Sequence, residues 1–304
     1  HTHAAKPGAV GRLAAASEKV PAIVHTFHGH IFHSYFNSAK TKLFINTERF
    51  LAKRSHAIVA ISEQQRSELV NDFKIAPQEK FHVIPLGFDL DRFQTGQQEK
   101  RKKFRTEFNL ADDEIAIGII GRLVPVKNHY LFLKAIRHVF DNTSKKVKAF
   151  IIGDGETRKD LETMAAQVGI QFSTENSAAH VHPLVFTSWR SDVDVVNAGL
   201  DVVCLTSFNE GTPVSLIEAQ AANKPIVSTR VGGIADVVIE GETALLSNVN
   251  DIEKFSDDLL TMVKDDTLRM RLGCRSHEHV VNRFSYQRLV KDMSQLYFEL
   301  LSKK

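Results

Sequence analysis

Short, continuously apolar runs rich in β-branched residues alternate along the chain with longer stretches whose apolar residues recur at three- and four-residue spacing. That alternation is the mark of buried parallel strands joined by helices. It predicts strands at 22–25, 57–62 and 81–85, with helices at 13–17, 34–54 and 63–73, so the front of the chain reads as half of a doubly wound domain. Residues 94–103, QTGQQEKRKK, lack apolar periodicity and read as a surface segment leading to an interdomain connection, with the boundary near Leu110. From Glu114 the alternation restarts, with strands at 115–120, 147–152, 201–205 and 225–229 and helices from His129 and over 157–168. Beyond Ala244 the pattern turns helical, over 252–264, 267–282 and 285–301.

The stretch from Asp201 to Gly233, DVVCLTSFNEGTPVSLIEAQAANKPIVSTRVGG, reads as strand, loop, helix and strand. Thr212 is placed as N-cap and Pro213 as the first helical residue, with Lys224 and Pro225 closing the other end. A helix starting directly after a sheet strand offers free N–H groups and a positive dipole end, which suit a phosphate. Glu210 and Glu218 flank that point. Two carboxylates beside an anion repel it unless they face the hydroxyl groups of whatever carries it, and a nucleotide sugar has such hydroxyls. Glu218 lies about 7–8 Å along the axis from Pro213, roughly the span from a diphosphate to a ribose diol. The plainer alternative makes Glu218 a solvated helix acid and Glu210 an early-turn acid favoured by the dipole.

Gly121 and Arg122 follow the 115–120 strand, and Lys127 stands just before a helix. A cation there opposes the helix dipole by some tenths of a kcal/mol, roughly, unless it and Arg122 clamp a bound diphosphate. Two solvated surface cations are the alternative. The turn IIGDGE resembles a glycine-rich phosphate loop but lacks a dinucleotide fingerprint's third glycine and a P-loop lysine. Asp192 and Asp194 have the acid-any-acid spacing of some metal sites, yet helix capping by Asp192 explains them better. His25, His28, His30 and His33 crowd HTFHGHIFH, where imidazoles can ligate zinc or copper. No cysteine or carboxylate completes that set, so a polar lining above a sheet edge is the competing reading. The 34–54 helix carries Lys40, Lys42, Arg49, Lys53 and Arg54 beside Tyr35, Phe36, Leu43, Phe44, Phe50 and Leu51. Such a face lies on anionic lipid or packs within a domain.

Composition changes this picture little. The chain has 304 residues, 43% hydrophobic and 25% charged, which fits two globular domains. Nothing pairs Cys204 with Cys274, so a reducing, cytoplasmic setting is expected, and no apolar run approaches the ~20 residues that span a bilayer. A net charge of +3 is too mild to argue nucleic-acid binding.

Two glutamates seven residues apart in FNEGTPVSLIEA, followed by KPIVST and VGG, resemble the signature of family 4 glycosyltransferases. GRLVPVKN, IIGDGETRKDLE, VIPLGFDLDRF and HTHAAKPGAVGR extend the match over nearly the whole chain. The resemblance implies an α/β protein of GT-B fold, with two Rossmann-like doubly wound domains and the donor cleft between them. Residues 1–110 would form the acceptor-side domain, 111–283 the nucleotide-sugar domain, and 284–304 a terminal helix crossing back to the first. The first domain is expected to be incomplete, lacking its N-terminal part, so that the chain binds a nucleoside diphosphate with negligible transfer.

The implied activity is transfer of a sugar, with retention, from a nucleotide-diphosphate sugar, most simply UDP-linked, to a glycan or lipid-linked acceptor in cell-surface polysaccharide synthesis. His28, Glu210, Arg122 and Lys127 carry over as catalytic, with His30 the nearest competitor of His28. Gly121, Arg122, Lys127, Val185, Arg190, Glu210, Gly211, Thr212, Pro213 and Glu218 carry over as donor-binding, the VFTSWRSD stretch lying against the base. No cofactor or obligatory metal is implied, and no nucleic acid. Peripheral contact with an anionic membrane through 34–54 would place the protein at the inner membrane face. A nucleotide-sugar epimerase of the same fold and a donor-binding module without turnover remain alternatives.

Overall fold

The computed structural model describes residues 1–29, 38–177 and 179–302. The chain divides into two compact units, residues 1–88 with 283–304, and residues 89–282.

In the first unit β1 (Thr2–His3), β2 (Val24–Phe27), β3 (Ala57–Ala60) and β4 (Phe81–Val83) pair in that order, all parallel. Between them run α1 (Ala5–Ser17), α2 (Ser38–Ala52) and α3 (Glu63–Ser67), the last continuing into a π-turn, Glu68–Asp72. The expected 34–54 helix is described from Ser38, residues 34–37 lying outside the described ones, and it stops at Ala52. One face of this sheet packs Phe27, Ile58, Ala60 and Phe81 against Leu69 and Ile75. The other packs Val24, Ala57 and Val59 against Leu296, Leu289 and Met293 of the C-terminal helix, Tyr286–Ser302. Arg288 fixes that helix by donating to the carbonyls of Pro85 at 2.7 Å and Leu86 at 2.8 Å.

The second unit starts at Asp89, so the expected boundary near Leu110 moves forward. Its first long element, α4 (Gln97–Glu107), is a helix where sequence pattern pointed to an irregular segment. Phe104 is fully buried, while Lys100 pairs with Asp194 and Arg101 with Asp201, each at 2.8 Å. The helix is held by one aromatic and by carboxylates ~100 residues away, which no local periodicity reveals.

The strands β5 (Ile115–Ile120), β6 (Val147–Ile152), β7 (Phe172–Thr174), β8 (Leu184–Phe186), β9 (Val202–Leu205), β10 (Ile226–Thr229) and β11 (Ala244–Ser247) lie in the order β11-β10-β9-β5-β6-β8-β7, every pair parallel. Covering them are α5 (His129–Asn142), α6 (Arg158–Gln167), α7 (Val193–Gly199), α8 (Val214–Ala221), α9 (Ile234–Val237), α10 (Ile252–Lys264) and α11 (Asp266–Cys274). The expected 267–282 helix is broken at Arg275, where α12 (Ser276–Phe284) begins. The core joins β5, β6 and β9 to Phe132, Leu133 and Ile136 of α5 and to Phe255 and Leu259 of α10. Because the chain lays down β5 and later returns beside it with β9, the sheet order reverses there, and the carboxyl ends of β5 and β9 frame the switch-point crevice where ligands of open α/β sheets bind.

Candidate functional site

Two loops leave the switch point, one after β5 and one after β9. The first is held by backbone from β6: Gly121 N–H donates to Ile152 O at 3.0 Å and Leu123 N–H to Asp154 O at 2.9 Å. A Cβ on Gly153, whose φ is +137°, would come within 2.0 Å of Gly121 O, and one on Gly155 within 2.2 Å of Leu123 O. The glycines of IIGDGE therefore let this turn press against the GRLV loop, a packing task rather than phosphate binding. The loop then makes a 3-10 turn, Pro125–Lys127, and Asn128 enters the left-handed region at φ 50° before α5.

The second loop is bonded to the first. Thr206 Oγ1 donates to Lys127 O at 2.9 Å, and Phe208 N–H to Val126 O at 2.8 Å. Lys127 Nζ reaches Glu210 Oε1 at 2.5 Å, and the same oxygen accepts from Ser207 Oγ at 2.5 Å. Ser207 is itself fixed, since Thr229 Oγ1 of β10 donates to its carbonyl at 2.8 Å. Behind the loop lie the glycines of VGG. A Cβ on Gly232, at φ +48°, would sit 2.0 Å from Glu210 O, and one on Gly233 would sit 1.9 Å from Gly211 O. Gly233 N–H donates to Glu210 O at 3.0 Å.

At the start of α8 the expected cap is displaced by one residue. Pro213, at φ −75° and ψ 90°, occupies the N-cap position and Val214 begins the helix, with no side-chain cap. Thr212 is not the cap, because the ring-fixed Pro213 already adopts the extended ψ that the boundary needs. Among the described residues no acceptor takes the amides of Gly211, Thr212, Val214 or Ser215. These donors point from the positive end of α8 beside Lys127 and Glu210.

Arg122 is exposed and has no ion pair among the described residues. Glu218, half-buried on α8, faces Arg92 at 3.8 Å; burial holds its carboxyl above the ordinary range, with Arg92 opposing. The sequence reading did not single out Arg92, Ser207 or Trp189. Trp189, the chain's one tryptophan, is 65% exposed in the loop that follows β8.

Two expected donor-binding residues are engaged within the protein. Val185 is fully enclosed in β8 between Phe150 and Ser173 on the flanking strands, leaving no surface for a ligand. Arg190 is saturated by carboxylates: Nη1 and Nη2 contact Glu107, and Nε and Nη2 donate to Asp192 at 2.9 Å. Asp192 holds the expected N-cap position of α7 but makes no side-chain cap bond, and Asp194 is taken by Lys100.

In the first unit His28 follows the carboxyl end of β2, is exposed, and lies 2.9 Å from His3 Nδ1 through Nε2. His25 is buried in β2, 2.9 Å from Thr2 Oγ1, and burial, aided by the nearby Arg12 guanidinium, pushes it down to about 3. His25 is thereby a neutral core group. His30 and His33 lie outside the described residues. No helix among the described residues is long and apolar enough to cross a membrane.

Comparisons with known proteins bear on the family and the fold. A UDP-Gal:alpha-D-GlcNAc-diphosphoundecaprenol alpha-1,3-galactosyltransferase of Escherichia coli is 28% identical over 306 residues, covering 100% of this chain and 76% of that protein. A D-inositol 3-phosphate glycosyltransferase of Corynebacterium glutamicum is 26% identical over 99% of this chain and 72% of its own length. Among solved structures, Anabaena Alr3699/HepE in complex with UDP superimposes with a TM-score of 0.83 at 19% identity, over 97% of this chain and 77% of that one. A sucrose-phosphate synthase of Thermosynechococcus elongatus gives 0.79 at 19% identity, over 100% and 74%. The fold is GT-B, built of Rossmann-like units. The family model for glycosyltransferase family 4 matches residues 1–92 and that for glycosyl transferases group 1 matches residues 100–279. With the two loops of the switch point falling inside the longer match, the chain belongs to the glycosyl transferases of group 1.

Proposed function

We propose that this glycosyltransferase transfers a hexosyl group from a UDP-sugar, with retention of anomeric configuration, to a glycan or lipid-linked acceptor in polysaccharide synthesis. The observation that carries the reading is the meeting of Lys127 and Glu210 beside the unpaired amides of Gly211, Thr212, Val214 and Ser215. The amides, Lys127 and Arg122 bind the diphosphate and stabilise the charge it gains as the bond from the anomeric carbon to its oxygen breaks. Gly121 keeps the first loop close to that phosphate. Glu218 accepts from the ribose hydroxyls and Glu210 from those of the donor sugar. His28 serves as the remaining catalytic group. The acceptor hydroxyl attacks the face the diphosphate leaves, and its proton passes to the departing oxygen.

Two cations and a helix terminus supply the positive charge a leaving diphosphate needs, so the reaction proceeds without an obligatory metal or cofactor. Exposed Trp189 supplies the surface for the base. Names of relatives support the donor and acceptor classes: the Escherichia coli protein uses UDP-Gal and a diphosphoundecaprenol acceptor, and the Anabaena structure holds UDP. Basic α2, with Lys42 and Phe50 exposed, is proposed to contact anionic membrane at its cytoplasmic face.

A panel of nucleoside diphosphates titrated against Trp189 emission tests the donor assignment, and NMR of the product's anomeric signal tests retention. Preference for a purine diphosphate, or an inverted product, overturns the corresponding half of the proposal.

A further inference from the structure

The first unit holds a cavity of about 600 Å³ that the transfer reaction does not use. It opens where α2 ends and where the segment before β4 turns, at the edge of the sheet from which β3 and β4 begin. His28 follows the opposite, carboxyl end of β2, so this cavity is separate from the edge at which open α/β sheets bind their substrates.

Among the described residues its polar lining is cationic throughout, with Arg49, Lys53, Lys74 and Lys80 and no carboxylate. Two of these cations build the walls. Arg49 donates to Phe73 O at 2.7 Å through Nη2 and to Lys74 O at 3.2 Å through Nε, tying the loop to α2. Lys80 Nζ donates to Ala52 O at 3.0 Å and Ser55 O at 2.9 Å, at the negative end of α2. The other two, Lys53 and Lys74, are exposed and have no side-chain partner among the described residues. Lys74 is held at φ 48°, which fixes where its side chain departs. The floor between them is apolar, formed by Val70, Ile75 and Pro77.

A volume of this size accommodates one small organic molecule. Fixed walls, two unpaired ammonium groups and an apolar floor are complementary to a ligand that is anionic at one end and apolar at the other. We propose that this cavity binds a phosphate ester bearing an apolar chain, the phosphate between Lys53 and Lys74 and the chain over Val70, Ile75 and Pro77. An anionic phospholipid of a membrane and a soluble amphiphilic phosphate share that chemistry.

The test uses the full chain with its donor site filled by saturating UDP. Isothermal titration with dihexanoyl phosphatidic acid, below its micelle concentration, is compared with inorganic phosphate. One saturable site for the lipid is expected, at least tenfold tighter than for phosphate, and weakened tenfold or more in Lys53→Gln/Lys74→Asn. Asn tolerates the left-handed backbone of Lys74, and both side chains are exposed, so the variant keeps its melting temperature. Lys102→Gln, exposed on α4 in the second unit and outside the cavity, leaves the affinity unchanged. Absence of saturable binding, equal affinity for inorganic phosphate, or binding indifferent to the double substitution overturns the proposal. Cosedimentation with phosphatidic-acid vesicles, lost in the double variant and kept in Lys102→Gln, assigns the source to a membrane. Lipid binding without cosedimentation supports the site and assigns it a soluble ester.

Discussion

Lys127 Nζ donates to Glu210 Oε1 at 2.5 Å, joining residues 83 apart in sequence at the amino end of α8. The carboxylate is sheltered, its side chain 8% exposed, and Lys127 is 25% exposed, so solvent screens the pair little. The two partners nevertheless play opposite parts toward a diphosphate, and their substitutions separate. Lys127→Ala removes a charge-assisted donor and weakens UDP by ~1.5–3 kcal/mol, roughly ten- to hundredfold. Glu210→Gln frees Lys127 for the phosphate and removes a repelling charge, so UDP binds more tightly while transfer falls roughly a hundredfold through loss of sugar positioning. Titration calorimetry and initial rates on the same preparations check both signs. Weaker UDP binding by Glu210→Gln refutes this account of the pair.

Gly233→Ala places a methyl 1.9 Å from Gly211 O, and both atoms belong to backbone that cannot swing aside. The Glu210–Gly211 loop must move by more than an ångström, carrying the α8 amides with it. A loss of UDP affinity of tenfold or more is expected, with the far-ultraviolet circular dichroism of the parent. Parent-like affinity in this variant means the VGG segment does not position the loop.

Glu218 links stability to binding. Burial raises its folded-state carboxyl pKa above the unfolded value, so the neutral form is preferred on folding. Its contribution is full below the ordinary carboxylate range and is lost as pH rises through the raised value. Glu218→Gln therefore melts above the parent at pH 7.5, and the two curves converge below about pH 4.5. The same variant binds UDP more weakly but keeps its affinity for inorganic diphosphate. A parallel loss for both ligands removes the ribose assignment.

His129 begins α5 beside Lys127, 2% exposed, with neither ring nitrogen hydrogen-bonded among the described residues. Burial first, and the Lys127 charge second, push it down to about 4. The unfolded chain binds this proton near pH 6.5 and the folded protein does not, so stability falls between about 6.5 and 4 by at most ~1.4 kcal/mol per pH unit. His129→Leu removes that slope. Melting temperatures from pH 7.5 to 5 should diverge in favour of the variant as pH falls; parallel curves show that His129 does not titrate as described.

The alternation of apolar runs and amphipathic stretches determined most strands and the major helices, because strand burial and helix amphipathicity are properties of neighbouring residues. The amino-acid sequence also marked Lys127, Glu210 and Glu218, since residue type and spacing around a helix start are local. It misplaced what distant partners decide. Arg190 reads as a donor contact until Glu107, 83 residues earlier, is seen to take its guanidinium. Val185 reads as a strand end until the pairing of β6, β7 and β8 encloses it. Segment 94–103 reads as loop until Asp194 and Asp201 pair with its cations. Even the GDG and VGG glycines show their purpose only when the opposing carbonyls of Gly121, Glu210 and Gly211 are in place. Which cation meets which carboxylate follows from β9 returning beside β5, a consequence of sheet order; charge pairing acts through space over a few ångströms, and spacing along the chain carries no record of it.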